Sequence, residues 1–277
     1  MQTLKLPNGD AIPVLGMGTW QMGESGKNRQ SEVKALQYGL DLGLSLIDTA
    51  EMYGEGGAEE VIAEAIASRR SEVFLVSKVY PHNASKQGAI AACERSLQRL
   101  KTDYLDLYLL HWRGSIPLSE TLEAFATLQQ AGKIRSYGVS NFDLQDMQAA
   151  IGLENGSQIA TNQVLYNLTR RGIEWDLLPW CRQHSIPVMA YSPIEQGRML
   201  NHRTLNQLAE ARGVSAAQIA IAWLLHQDNV IVIPKASHID HVEQNYNALT
   251  LQLSPEELAT LDSAFPPPSQ PTPLEML

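Results

Sequence analysis

The chain has 277 residues, near the roughly 250 typical of one α/β barrel and long enough to bury roughly 75% of the surface its unfolded form exposes. Its 21 basic residues against 30 acidic ones give a net charge of -9, which argues against general affinity for nucleic-acid backbones or anionic membranes and leaves any anionic ligand to a local basic cluster. Cys93 and Cys181 lie far apart with no CxxC and no histidine at metal-ligand spacing, so no disulfide framework and no metal site is expected and a reducing compartment suits the chain.

The opening MQTLKLPNGD lacks an apolar core of signal length, and no eighteen apolar residues run together; the expectation is a soluble, cytoplasmic protein. Next, TLKLPNGDAIPVL alternates on both sides of Asn8-Gly9, a hairpin signal placed to cap the bottom of the fold. Eight short apolar runs bounded by turn signals then read as buried strands: VLGMG (14-18), LSLID (44-48), VFLVSK (73-78), YLDLYLLH (104-111), IRSYGVS (134-140), IATNQVLY (159-166), IPVMAYS (186-192) and VIVIPK (230-235). Amphipathic stretches fill the gaps, among them SEVKALQYGLDLG, AEEVIAEAIASR, KQGAIAACERSLQRL and LSETLEAFATLQQAGK, several closed by glycine as at Gly43, Gly132 and Gly213. WDLLPWCRQH belongs to this set, and Trp175 and Trp180 in it read as packing residues. The end, 266–277, is too proline-rich for a helix and reads as an extended surface tail.

Strands that are apolar on both faces and alternate with helices predict a parallel sheet closed into a (β/α)8 barrel, one domain over 1–277. An open doubly wound sheet is the alternative. Barrel active sites sit at the C-terminal ends of the strands, and the residues there are Asp48, Lys78, His111, Ser140 with Asn141, Tyr191-Ser192 and Lys235, with Gln163 inside the sixth strand and Gly18-Thr19-Trp20 after the first. Taken singly, Asp48 reads as a helix cap, Lys78 as a rim charge and His111 as a core histidine. Together they meet at one mouth, where Asp and Lys are expected to pair. Tyr53, in the loop above that pair, would then be a phenol whose pKa Lys78 lowers, and His111 a donor to a substrate oxygen. Reducing a carbonyl also needs a hydride, which no side chain supplies and a cofactor must. No nucleophile motif, GxGxxG or Walker loop accompanies these residues.

LIDTAEMYG, VFLVSK, LDLYLLHW, GKIRSYGVSNF, NQVLYN, AYSPI and VIPKA, in this order, resemble the successive barrel-end motifs of the aldo-keto reductases. The resemblance implies an NADPH-binding barrel, with NADH as the alternative cofactor, and a tetrad in which Tyr53 is the general acid, Lys78 and Asp48 its tuning pair and His111 the orienting residue. It further implies that Ser140, Asn141 and Gln163 hold the nicotinamide carboxamide and that Tyr191 stacks on the ring. Ser192, Pro193, Ile194, Gln196 and Gly197 would cross the pyrophosphate opposite Gly18, Thr19 and Trp20. Lys235, Ala236, Ser237, His241, Gln244 and Asn245 match the positions of the adenosine and 2'-phosphate site.

The chain departs from the family in three places. His241 stands where many members carry arginine, and Gln244 where they carry glutamate; a neutral histidine is a weaker phosphate partner. GEGGAEE after Tyr53 replaces a shorter turn, and the tail is short, which implies a small, open pocket. Within the family, VYPHNAS, LYNLTRRGIEWDLLPWC and DHVEQN look most similar to bacterial members described as methylglyoxal reductases. The expectation is therefore a monomeric reductase of small carbonyl compounds, with Trp20, Tyr80, His82 and Trp112 as pocket candidates; their bland reading is aromatic cover for the barrel rim. Two rivals stand beside it: a regulatory nucleotide-binding subunit like those of potassium channels, and a phosphate-handling barrel enzyme.

Overall fold

The computed structural model describes residues 2–277. A short antiparallel hairpin, β1 (Thr3–Lys5) and β2 (Ala11–Pro13), precedes the barrel strands β3 (Gly16–Gly18), β4 (Leu46–Asp48), β5 (Phe74–Val79), β6 (Leu105–Leu110), β7 (Ile134–Ser140), β8 (Ile159–Leu165), β9 (Val188–Tyr191) and β10 (Val230–Val232). All eight neighbour in sequence order and pair in parallel. Parallel bridges Leu15 to Val232 and Gly18 to Lys235 join the first strand to the last. The eight expected strands are thus present, each within a few residues of its predicted bounds.

Around them lie α1 (Arg29–Leu42), α2 (Gly57–Ala65), α3 (Lys86–Leu100), α4 (Leu118–Gln130), α5 (Leu144–Ile151), α6 (Leu177–Gln183), α7 (Arg203–Arg212), α8 (Ala216–Leu225), α9 (Ile239–Asn247) and α10 (Pro255–Ala264). The last two were not anticipated. Alpha10 carried a legible signal, since Ser254 and Glu257 form a capping box around Pro255; α9 hides in a segment whose polar residues read as a binding site. Trp175 departs from expectation: it precedes α6 and is 47% exposed, whereas Trp180 packs on the core and stacks on His184 at 3.9 Å. Among the described residues no single helix is long and apolar enough to cross a membrane.

Side chains alternate along each strand. One phase, including Ile47, Leu75, Tyr108, Val139 and Val188, joins the layer between sheet and helices. The other, Leu46, Val76, Leu107, Leu109, Ala160, Met189 and Ile231, fills the barrel, and Leu6 and Ile12 of the hairpin segment cluster with it from below. Asn8 at the hairpin tip donates to the Ser136 hydroxyl at 2.9 Å. The hairpin is therefore the predicted plug, and the barrel is closed at the end away from the strands' C-termini.

Beta8 breaks the alternation. Its register against β7 shifts between Tyr137 and Val139, with Tyr137 opposite Ile159 but Val139 opposite Asn162. Ala160 and Gln163, three positions apart, consequently both face inward. An extra residue in a strand re-aims every side chain beyond it, and here it turns Gln163 toward the mouth.

Because Ile12 is fully buried in the plug, Ile12→Ala is expected to destabilise the protein by about 2–5 kcal/mol. The site at the opposite end should stay intact. Urea melts measure the first expectation, and a loss under ~1 kcal/mol would contradict the packing.

Candidate functional site

Asp48 ends β4, Lys78 lies in β5 and His111 follows β6, all on the inward phase above Leu46, Val76 and Leu109. Lys78 is fully buried and Asp48 nearly so. The Lys78 ammonium spends its three protons on Asp48 Oδ2 at 2.8 Å, the Thr49 carbonyl at 2.7 Å and the Tyr53 hydroxyl at 3.3 Å. Asp48 Oδ1 in turn accepts from Gln163 Nε2 at 2.8 Å. An ion pair this deep survives desolvation only when its remaining hydrogen-bonding positions are filled, and here the backbone and Gln163 fill them.

Tyr53 opens a tight turn through Gly56 that leads into α2. Gly54, Glu55 and Gly56 take φ of 58°, 53° and 95°, so the glycines of GEGGAEE supply left-handed backbone. They also permit close approach: a Cβ on Gly57 would meet the Gly23 carbonyl oxygen at 2.6 Å. The turn folds against residues 22–23 and brings the phenol back over Lys78. His111 meets the Tyr53 ring edge-on at 5.8 Å.

The electrostatics correct one expectation. Burial, reinforced by the Asp48 charge, pushes the Tyr53 phenol well above its ordinary pKa, rather than Lys78 lowering it. Asp48 adds a negative charge beside the phenol, and of the three ammonium bonds the one to Tyr53 is the longest. Lys78 itself is shifted down by burial, with Asp48 opposing the shift. His111 is pushed down to about 2 by burial and then by Lys78, and is therefore neutral. What results is a protonated phenol, a hydrogen-bonded ammonium and an uncharged imidazole around one point.

Polar groups continue round the mouth. Ser140 Oγ and the Asn141 N–H both donate to the Gln163 carbonyl at 2.8 Å. Asn141 Nδ2 reaches the His111 carbonyl at 3.1 Å, and Asn141 Oδ1 accepts from the Tyr191 hydroxyl at 3.0 Å. Thr19 donates twice to the Asp48 carbonyl, while Gly18 lies so near the backbone of the last strand that a Cβ would meet the Ile233 carbonyl at 3.0 Å. Ser192, Glu195 and Gln196 all have φ of 51–53°, strained values that cluster at functional loops. The Ser192 hydroxyl is buried with no protein partner. The left-handed backbone and the unpartnered Ser192 hydroxyl make 192–197 a loop able to cradle an anionic group.

The polar residues further from the tetrad are held more loosely. Lys235 Nζ donates to Ser237 Oγ at 3.1 Å, Asn245 is buried and Gln244 half-buried, and Ala236 packs on the core. His238 and His241 meet edge-on at 5.9 Å on the first turn of α9, both exposed. His111 contacts Trp112 at 4.9 Å, Trp112 contacts Tyr80 at 5.8 Å and Tyr80 contacts His82 at 4.6 Å, so three of the four pocket candidates form one row from the tetrad outward. Trp20 makes no ring contact with this row and is 40% exposed.

Sequence reasoning passed over two carboxylates that shape the site. Glu51 accepts from the Tyr80 N–H at 2.9 Å and from Asn83 at 3.0 Å, fixing the turn that carries Tyr80 and His82. Glu195 is buried inside the 192–197 loop and bound by Arg170, Arg198 and Asn167. Arg170 also pairs with Glu275 of the tail, so the extended tail is tied to the same loop. The only signal was the place of Glu51 inside LIDTAEMYG and of Glu195 directly after AYSPI.

The chain belongs to the aldo/keto reductase family, whose model matches residues 14–265. Among its relatives, the methylglyoxal reductase YeaE of Escherichia coli (strain K12) is 55% identical, with 96% of each chain covered. The glyoxal reductase of Bacillus subtilis (strain 168) is 34% identical over 94% of this chain and 92% of its own. Among solved structures, an aldo/keto reductase from Klebsiella pneumoniae in complex with NADP and acetate superposes with a TM-score of 0.97 at 54% identity, covering 99% of both chains.

His111 gives the site a pH signature. Its folded pKa of about 2 lies below the ordinary 6.5, so between those values the unfolded chain holds one more proton and stability falls as pH falls, by ~1.4 kcal/mol per unit. Above 6.5 both states are neutral and the effect is absent. His111→Gln is expected to flatten the acid side of a stability-versus-pH curve by about one proton, as read from chemical melts.

Proposed function

We propose that the chain reduces small aldehydes and 2-oxoaldehydes with NADPH, and that Tyr53 gives the proton to the substrate oxygen. The single observation that carries this is the Tyr53 hydroxyl held 3.3 Å from a buried Lys78 that is itself neutralised by Asp48. A phenol with a raised pKa remains protonated at working pH and is a donor rather than a base. As its proton leaves, the growing phenolate strengthens the Lys78 hydrogen bond, an interaction largest in the transition state. Neutral His111 orients the same carbonyl oxygen by hydrogen bonding. When bound, NADPH supplies the hydride for the carbonyl carbon.

Support for the cofactor comes from the buried, partnerless Ser192 hydroxyl and the left-handed backbone at 192–197, together with the nucleotide complexes of similar structures. In this reading Ser140, Asn141 and Gln163 hold the carboxamide, Tyr191 stacks on the ring, and Lys235, Ser237, His241 and Asn245 receive the adenosine end. Support for the substrate class comes from relatives described as methylglyoxal and glyoxal reductases and from the row Trp112, Tyr80 and His82 beside His111. An aromatic wall of that kind suits compact, weakly polar carbonyl compounds. The net charge of -9 favours a monomer working free of nucleic acid and membranes.

Tyr53→Phe is expected to quench NADPH fluorescence normally while turnover of methylglyoxal falls about 10²–10⁴-fold. Retained turnover would remove Tyr53 from the role. At the adenosine end, His241→Arg should tighten NADPH about ten- to a hundredfold, matching the roughly 1.5–3 kcal/mol of a charge-assisted bond, and leave NADH unchanged. Paired titrations with the two nucleotides measure it, and equal gains for both would place the 2'-phosphate elsewhere.

A further inference from the structure

Glu59 takes no part in the proton transfer above, yet it is fully buried. It sits in the first turn of α2, on the same short segment as Tyr53. Its Oε1 accepts from the Ser77 hydroxyl at 2.7 Å and its Oε2 from Arg99 Nε at 2.6 Å. Ser77 precedes Lys78 in β5 and points to the opposite face of the strand. One carboxylate therefore joins three elements: α2, β5 and α3.

The need for such a joint lies in the turn between Tyr53 and Glu59. Gly54, Glu55 and Gly56 all hold positive φ, and glycines have little conformational preference of their own. The turn leans on residues 22–23 through Gly54 and Gly57, and its two ends fix what remains of the distance from the Tyr53 hydroxyl to Lys78 Nζ. At one end the Tyr53 N–H donates to the Ala50 carbonyl at 3.1 Å. The other end is α2, and Glu59 is what fastens α2 to the strand that carries Lys78. Gly56 is shaped for it, since a Cβ there would run into the Arg99 side chain at 2.5 Å.

We infer that Glu59 is a positioning residue for the reaction, clamping the Tyr53 turn to the lysine strand through Ser77. The inference rests on the proposed role of Tyr53. Ser77 of β5 and Arg99 of α3 bind the carboxylate, and its field also reaches Lys78 on the other face of β5, Cys93 of α3 and Tyr108 of β6. Arg99 balances its charge, so the clamp acts by geometry first, and the negative field it adds at Lys78 favours the ammonium.

The test compares Ser77→Ala, Glu59→Ala and Glu59→Gln with the parent, using NADPH and methylglyoxal. Displacing an acid by an ångström costs up to about 10²-fold in rate. The two alanine variants should lose about tenfold in kcat with a larger solvent deuterium isotope effect and an unchanged NADPH Kd by fluorescence quenching. Glu59→Gln keeps an acceptor for Ser77 and should recover most of the loss. Ser77→Ala removes one hydroxyl and keeps the assay meaningful if Glu59→Ala folds poorly. Unchanged kcat in Ser77→Ala, a fall in NADPH binding that parallels kcat, or a Glu59→Gln as slow as Glu59→Ala would each overturn the clamp. Tyr53→Phe run alongside separates the levels: if it turns over, the reading of the site has failed; if it is inactive while Ser77→Ala is normal, only the clamp has.

Discussion

Everything at the mouth of this barrel follows from the decision to bury an ammonium. Lys78 has no contact with solvent, and a lone charge in that position would be shed as a proton or would unfold its surroundings. Asp48 makes the charge tolerable, and the Thr49 carbonyl and Gln163 complete the set. The geometry of Tyr53 and the neutrality of His111 are then consequences: the one takes the third ammonium proton and the other is discharged by burial and by Lys78. Removing either partner of such a pair leaves an uncompensated buried charge, worth about 3–5 kcal/mol. Function and stability are for this reason written into the same few atoms.

The fold serves that arrangement through strand periodicity. Leu46, Val76 and Leu109 fill the barrel below, and Asp48, Lys78 and His111 are the next inward positions above them. A single strand, β8, needs an irregularity to obey the same rule. The hairpin closes the far end with apolar side chains, which leaves the mouth as the open face. The polar residues from Ser140 to Asn245 come from β7 through α9, and the aromatic row from His111 to His82 from the loops after β5 and β6.

Much of this was legible in the sequence because the strands are short, apolar and punctuated, and each ends in a residue whose chemistry has no use in a core. Asp48, Lys78 and His111 stood out on that ground. Gln163 stood out only as a polar residue inside its strand, since its inward aim depends on a register shift that pattern alone does not reveal. Alpha9 was masked by its polar sequence. Glu51, Glu59 and Glu195 were invisible for a different reason: a buried carboxylate and a solvated one look alike until the partners Tyr80, Ser77 and Arg170, distant in sequence, are brought beside them. The direction of the Tyr53 shift depends on how deeply the phenol is buried and on the Asp48 charge beside it, neither of which the sequence displays.

The burial of Lys78 has a chemical side as well. Aldehydes condense with amines through a free nitrogen lone pair, and a protein proposed to handle 2-oxoaldehydes works among reagents that would add to or cross-link an accessible lysine. Here the nitrogen is fully covered and its three protons point at Asp48, Thr49 and Tyr53, so no lone pair faces the pocket. The amine on which the site depends is thereby sealed against the compounds it would help to detoxify.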